Sequence, residues 1–244
     1  MTFWISPWCP PSWMKINGDY PVLGSKFNNM PEKMNYILYG NVNDKVDPDE
    51  MKLVGKRGDK FPRQLATTDY FIQDPRYLQA YANYFCKFID AYKEQGVNID
   101  MVIYQNEAYS YTPYPGCAWT AEGTVRFNRD YLGPTLRQKH PEVKLYLGTF
   151  NTNRVDYVQK IASDTKLQEY VSGMAFQWEG RESLPVLRKE HPGWNYICSE
   201  SECGWGSFDW GAGEHTFELM NHYLGNGCNE YTFWNFILAD NGES

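Results

Sequence analysis

Two glutamates stand where an apolar run gives way to polar residues. Glu107 follows Ile99 to Tyr104 and the amides Gln105 and Asn106, and Glu200 follows Trp194 to Cys198 and Ser199. Two carboxylates facing one cleft can divide acid and nucleophile roles in acetal cleavage, because different surroundings push their pKa values apart. A chain with 30 acidic residues supplies many exposed loop carboxylates, so position has to choose among them. Glu179 and Glu202 compete for the second role. Along Tyr196-Ile197-Cys198-Ser199-Glu200-Ser201-Glu202, Glu200 is the first acid past the apolar stretch and sits closest to a rigid strand. Glu202 then falls in the following loop, as a supporting partner or a solvated side chain.

The elements that must hold such a pair alternate. Asp74-Pro75 is a cap followed by a first-turn proline, and Leu78, Tyr81, Phe85, Phe88 or Ile89, and Tyr92 recur at helical spacing until Gly96. Further helices are expected over 120–139, 154–163, 166–170, 182–190 and 214–224, with Gly123 and Gly133-Pro134 interrupting the first and Pro185 the fourth. Short apolar strands are expected at 3–5, 99–104, 143–147, 172–176, 194–198 and 230–236. They are too uniformly apolar for a sheet wetted on one side, so a parallel sheet covered by helices follows, doubly wound or closed as a barrel. Their carboxyl ends run into Gln105-Asn106-Glu107, Gly148-Thr149-Phe150-Asn151, Gln177-Trp178-Glu179, Ser199-Glu200 and Trp234-Asn235. Acids, amides and rings gathered at strand ends are what a barrel's active face requires.

Composition narrows the ligand. A net charge of -7 argues against nucleic acid, whose binding depends on clustered Lys and Arg. The chain holds 9 Trp, 19 Tyr and 13 Phe at a mean hydropathy of -0.61. So many rings in so hydrophilic a chain suggest stacking surfaces for sugar faces, with packing at buried edges as the competing use. The 6 cysteines form no C-x-x-C pair and the 4 histidines no H-E-x-x-H, so no metal is expected. His215 and His222 read as a solvated helix face, and Cys86, Cys198 and Cys228 as buried thiols. No apolar run approaches the length of a membrane span. The segment Ser6 to Lys15, with three prolines and two tryptophans, reads as a stiff pocket wall, and 27–70 as a long surface insertion.

Several motifs recur together in one family. Ser6-Pro7-Trp8 through Trp13-Met14-Lys15, Gln105-Asn106-Glu107, Ser199-Glu200 with Cys203-Gly204, and Tyr231-Thr232-Phe233-Trp234-Asn235, in this order and spacing, resemble glycoside hydrolase family 30, the glucosylceramidase-like group. The resemblance implies an α/β fold, a (β/α)8 barrel with retaining chemistry on β-glycosides. It implies Glu107 as acid/base after the fourth strand and Glu200 as nucleophile after the seventh. It also places Asn106 at the sugar 2-hydroxyl, with Trp8, Trp178 and Trp234 lining the pocket; Gln177, beside Trp178, joins them as substrate-binding. No organic cofactor is implied, the partner is a carbohydrate or glycolipid, and the location is secreted or extracytoplasmic. Oligomeric state is left open.

This chain departs from the family pattern in two places. Ala108 stands where the family has Pro after the acid/base residue. The opening at Phe3 to Ile5 matches the third barrel strand, so residues 1–244 are expected to form one partial catalytic barrel, about strands three to eight, without the family's β-sandwich domain. Such a sheet has two open edges, and the chain alone is expected to associate or pack loosely. Glucosylceramide, a β-glucan of the β-1,6 type and xylan are all compatible substrates; an inactive carbohydrate-binding fragment is the alternative.

Overall fold

Parallel pairing of short strands organises the chain. The computed structural model describes residues 2–22, 69–108, 114–202 and 209–234, so nearly all of the expected insertion at 27–70 lies outside the described residues, as do Cys203, Gly204 and Asn235. Six strands form one sheet in sequence order: β1 (Trp4–Ile5), β2 (Met101–Ile103), β3 (Lys144–Phe150), β4 (Val171–Gln177), β5 (Asn195–Ser201) and β6 (Glu230–Phe233). Every neighbouring pair is parallel. The helices are α1 (Pro75–Glu94), α2 (Ala121–Phe127), α3 (Gly133–Lys139), α4 (Val155–Ala162), α5 (Thr165–Gln168), α6 (Ser183–Glu190) and α7 (Trp210–Gly225).

Local chemistry sets these boundaries. Asp74 caps α1 by accepting the Arg76 N–H at 2.8 Å, Pro75 fills the first turn, and Gly96 leaves the helix in the left-handed region at φ 82°. Leu78, Tyr81, Phe85 and Ile89 are buried along one stripe. Tyr92, expected on that stripe, is exposed: it sits in the last turn with its ring 4.3 Å from that of Phe88. The helix expected over 120–139 is continuous, passing from α2 through a π segment (Asn128–Leu132) into α3. Gly133 is there for packing, since a Cβ would stand 2.6 Å from Cγ of Tyr170.

Side-chain alternation splits the core into two layers. Tyr104, Leu145, Leu147, Met174, Phe176, Tyr196 and Cys198 point to the helices, while Met101, Ile103, Tyr146, Ala175 and Ile197 form a smaller inner cluster capped by Trp4. Both faces are covered, which accounts for the uniformly apolar strands. The sheet curls far enough for Trp4 Nε1 on β1 to donate to Glu230 Oε1 on β6 at 3.1 Å, so the first and last strands meet across the inside of a half-barrel.

The strands run further than their apolar stretches suggest. β3 continues to Phe150, β4 includes Gln177 and β5 includes Glu200 and Ser201, because polar side chains at these ends face the interior rather than water. β5 carries a bulge visible from both sides. Phe176 and Gln177 of β4 pair with Cys198 and Glu200, while Tyr231 and Phe233 of β6 pair with Cys198 and Ser201. Each neighbour advances one residue less than β5, so Ser199 is the extra residue, and its hydroxyl donates to the Phe176 carbonyl at 3.2 Å.

Candidate active site

Above the inner cluster, the carboxyl ends of β2 to β5 bring four polar side chains into one buried knot: Asn106, Thr149, Gln177 and Glu200. Gln177 follows Ala175 by two residues and so shares its inward face. Without the bulge at Ser199, Glu200 would share the helix-facing side of Cys198; the extra residue turns it inward, opposite Gln177.

Hydrogen bonds fix the knot. Gln177 Nε2 lies 3.0 Å from each of Asn106 Oδ1, Thr149 Oγ1 and Glu200 Oε2. The Thr149 hydroxyl donates to Asn106 Oδ1 at 2.9 Å and accepts the Glu107 main-chain N–H at 3.1 Å. The Asn106 N–H in turn donates to the Pro7 carbonyl at 2.8 Å, tying the β2 end to the wall loop after β1. Glu107 is buried, and its Oε1 accepts from Asn151 Nδ2 at 3.1 Å. Glu107 is also the one non-glycine residue among the described ones with a left-handed backbone, φ 47°. A long side chain rarely adopts this conformation, and such strain gathers where a group must point in a set direction.

The two carboxyl groups sense each other. Burial, and then the charge of Glu107, push the Glu200 carboxyl up to about 8. The neighbouring carboxyl is one of the two causes of the shift, so protonation of Glu200 depends on the state of Glu107. Gln177 is the hydrogen-bond donor that favours the ionised form of Glu200.

Trp8 and Trp234 come together at the rim, their ring centroids 6.2 Å apart, and Tyr114 stands 5.5 Å from Trp8 on the other side. Trp178 opens the 3-10 turn after β4 and packs, half-buried, against the main core cluster. Glu202 Oε1 pairs with His215 Nε2 on α7, and His222 Nε2 lies 2.9 Å from the Arg181 carbonyl. Glu179 donates its main-chain N–H to Asn151 Oδ1 at 3.0 Å. Thr149 and Asn151 had a signal in the sequence, the polar end of β3, yet nothing there showed that one would hold Asn106 and the other Glu107. Cys9, Cys86, Cys117, Cys198 and Cys228 are free thiols, and among the described residues no three His, Cys, Asp or Glu side chains gather as a metal site.

Comparisons with known proteins bear on the fold and the family. The chain is 26% identical over 172 residues to an endo-1,6-beta-D-glucanase of Aspergillus fumigatus, covering 70% of this chain and 28% of that protein. It is 27% identical over 267 residues to the lysosomal acid glucosylceramidase of Mus musculus, covering 99% of this chain and 42% of that protein. Among solved structures, SrfJ from Salmonella typhimurium superposes with a TM-score of 0.69 at 20% identity, covering 100% of this chain and 46% of that one. A family 30 subfamily 8 xylanase from Clostridium acetobutylicum gives a TM-score of 0.67 at 19% identity, covering 99% and 49%. The chain thus spans less than half the length of these relatives, and its six strands correspond to part of a TIM barrel. Residues 70–243, well over half of the chain, match the TIM-barrel domain model of glycosyl hydrolase family 30, and the chain belongs to that family.

Proposed function

We propose that this chain carries the catalytic face of a retaining β-glycosidase, with Glu107 as acid/base and Glu200 as nucleophile. The observation that carries the reading is the relay from the Glu107 main-chain N–H through Thr149, Asn106 and Gln177 to the Glu200 carboxylate, which, with Asn151 on the Glu107 carboxylate, holds both acids at one rigid face. In the first step Glu107 gives its proton to the leaving glycosidic oxygen while a Glu200 oxygen attacks the anomeric carbon, forming a glycosyl ester as the old C–O bond breaks. In the second, Glu107 takes a proton from water, whose oxygen displaces Glu200 and restores both groups. The Asn106 Nδ2 group is buried and has no partner, leaving its two N–H donors available to a sugar hydroxyl. Trp8 and Trp234, with Trp178 after β4, supply the stacking wall.

A β-linked glucose is the favoured substrate unit, as glucosylceramide or a β-1,6-glucan, since relatives of those names match across most of this chain while the xylanase likeness extends to fold alone. Such substrates fit a secreted or extracytoplasmic site, and no described helix is long and apolar enough to cross a membrane. A second reading, a sugar-binding module without turnover, draws on the two sheet edges left open among the described strands. Incubation with a 2-deoxy-2-fluoro-β-glucoside followed by peptide mass spectrometry separates the two. A glycosyl adduct on Glu200 supports the enzyme, and sugar binding with no adduct supports the module.

A further inference from the structure

Gln177 has a place in the knot that a substrate contact does not require. It is fully buried, and its main-chain carbonyl is held by the Tyr223 hydroxyl from α7. Its Nε2 carries two hydrogens and meets three acceptors, while its Oε1 has no partner among the described residues. That imbalance fixes which way the amide points: rotated by half a turn, Oε1 would stand 3.0 Å from three oxygens, Glu200 Oε2 among them. Thr149 reinforces the choice by spending its own hydroxyl proton on Asn106 Oδ1. An orphan buried acceptor costs free energy, and here it accompanies an amide locked toward Glu200.

Resting on the β-glycosidase reading, we infer that Gln177 is the positioning residue of the nucleophile: its amide N–H holds Glu200 Oε2 in the attacking orientation and favours its ionised form, while the same nitrogen orients Asn106. Among the described residues, Gln177 is the one hydrogen-bond donor to the Glu200 side chain. The titratable groups facing this point are Glu107 at the end of β2 and Glu200 itself, and Glu202 is turned to His215 on α7. Burial and Glu107 both favour the protonated form of Glu200, so a single N–H opposes two effects. The bulge at Ser199 supports the same assignment, since it makes Gln177 and Glu200 register partners.

The test uses 2,4-dinitrophenyl 2-deoxy-2-fluoro-β-glucoside, whose leaving group departs without acid help, so the rate of labelling at Glu200 reports on the nucleophile alone. Mass spectrometry follows that rate against pH for the unaltered chain, Gln177→Met and Gln177→Glu. Methionine keeps the volume and removes the donor; glutamate keeps the shape and replaces the donor with a carboxyl. The midpoint of the acidic limb is expected to move upward by about one to two pH units in both variants, and the plateau to fall at least about tenfold. A packing defect alone would lower the plateau and leave the midpoint in place. Unmoved midpoints in both variants, with unfolding curves like those of the unaltered chain, overturn the role of Gln177. If Gln177→Met fails to fold, Gln177→Leu, which also removes the donor without adding a charge, decides by the same criterion. Absence of any label on the unaltered chain overturns the glycosidase reading itself, and is told apart because it precedes any substitution.

Discussion

Asn151 is held at both ends of its amide: Oδ1 accepts the Glu179 main-chain N–H at 3.0 Å, and Nδ2 donates to Glu107 Oε1 at 3.1 Å. The first contact assigns the second, because an amide whose oxygen is engaged by the turn after β4 can offer only N–H to the carboxylate. Glu107 is thus aimed by a strained backbone from below and by Asn151 from beside it. Replacing Asn151 with Ala is expected to lower kcat about 10- to 100-fold with KM little changed, since a small misplacement of a reacting group is costly. Steady-state kinetics on an aryl β-glucoside checks it.

Roles within the pair separate by azide rescue. Glu107→Gln is expected to cut turnover of an unactivated β-glycoside by about 10²- to 10⁴-fold, with azide returning activity as the β-glycosyl azide. Glu200→Gln stops the covalent route, and a smaller Glu200→Gly variant is expected to give the α-azide. Glu202→Gln should keep most activity, because its carboxylate is engaged with His215 rather than the knot. An α-azide from a Glu202 variant would move the nucleophile there.

Stability should depend on pH through Glu200. Its folded value near 8 lies above its ordinary value of 4.5, so the folded state binds the extra proton between the two. Its contribution to stability is therefore fully present below about 4.5 and lost as pH rises through about 8. Glu200→Gln removes this dependence: its melting temperature is expected to exceed that of the unaltered chain by about 2–4 °C at pH 9, with the gap narrowing as pH falls. Calorimetry across that range checks the sign.

Gly173, on β4, tests the inner layer. A Cβ there would stand 2.4 Å from the Asn195 carbonyl oxygen and 2.4 Å from Cε1 of Tyr146, and backbone cannot yield as a side-chain tip does. Gly173→Ala is expected to cost about 1–3 kcal/mol in denaturant unfolding. A neutral result would mean that β4 and β5 are less tightly joined than their register implies.

The sequence was most readable where one physical signal acted alone. The cap at Asp74, the stripe from Leu78 to Ile89 and the run Tyr196-Ile197-Cys198 each showed their element directly, and Glu107 and Glu200 were legible as acids just past apolar strands. Strand ends were not, because a buried polar residue reads in sequence like one pointing into water: Gln177 and Ser201 read as loop and belong to strands. The glycines at 123 and 133 read as breaks, since only the packed structure shows Tyr170 lying against the second.

Ser199 makes the location of Glu200 a matter of parity. Strand side chains alternate, so the face on which Glu200 emerges depends on whether the count of residues from Ile197 is odd or even, and the bulge changes that count by one. Straightening β5 with Ser199 retained would set Glu200 against the helices and bring Ser201 inward, whereas deleting Ser199 would restore plain alternation with Glu200 still facing the interior. The face on which Glu200 emerges is therefore set by how β5 pairs with its neighbours, a property that no scan of side chains can read.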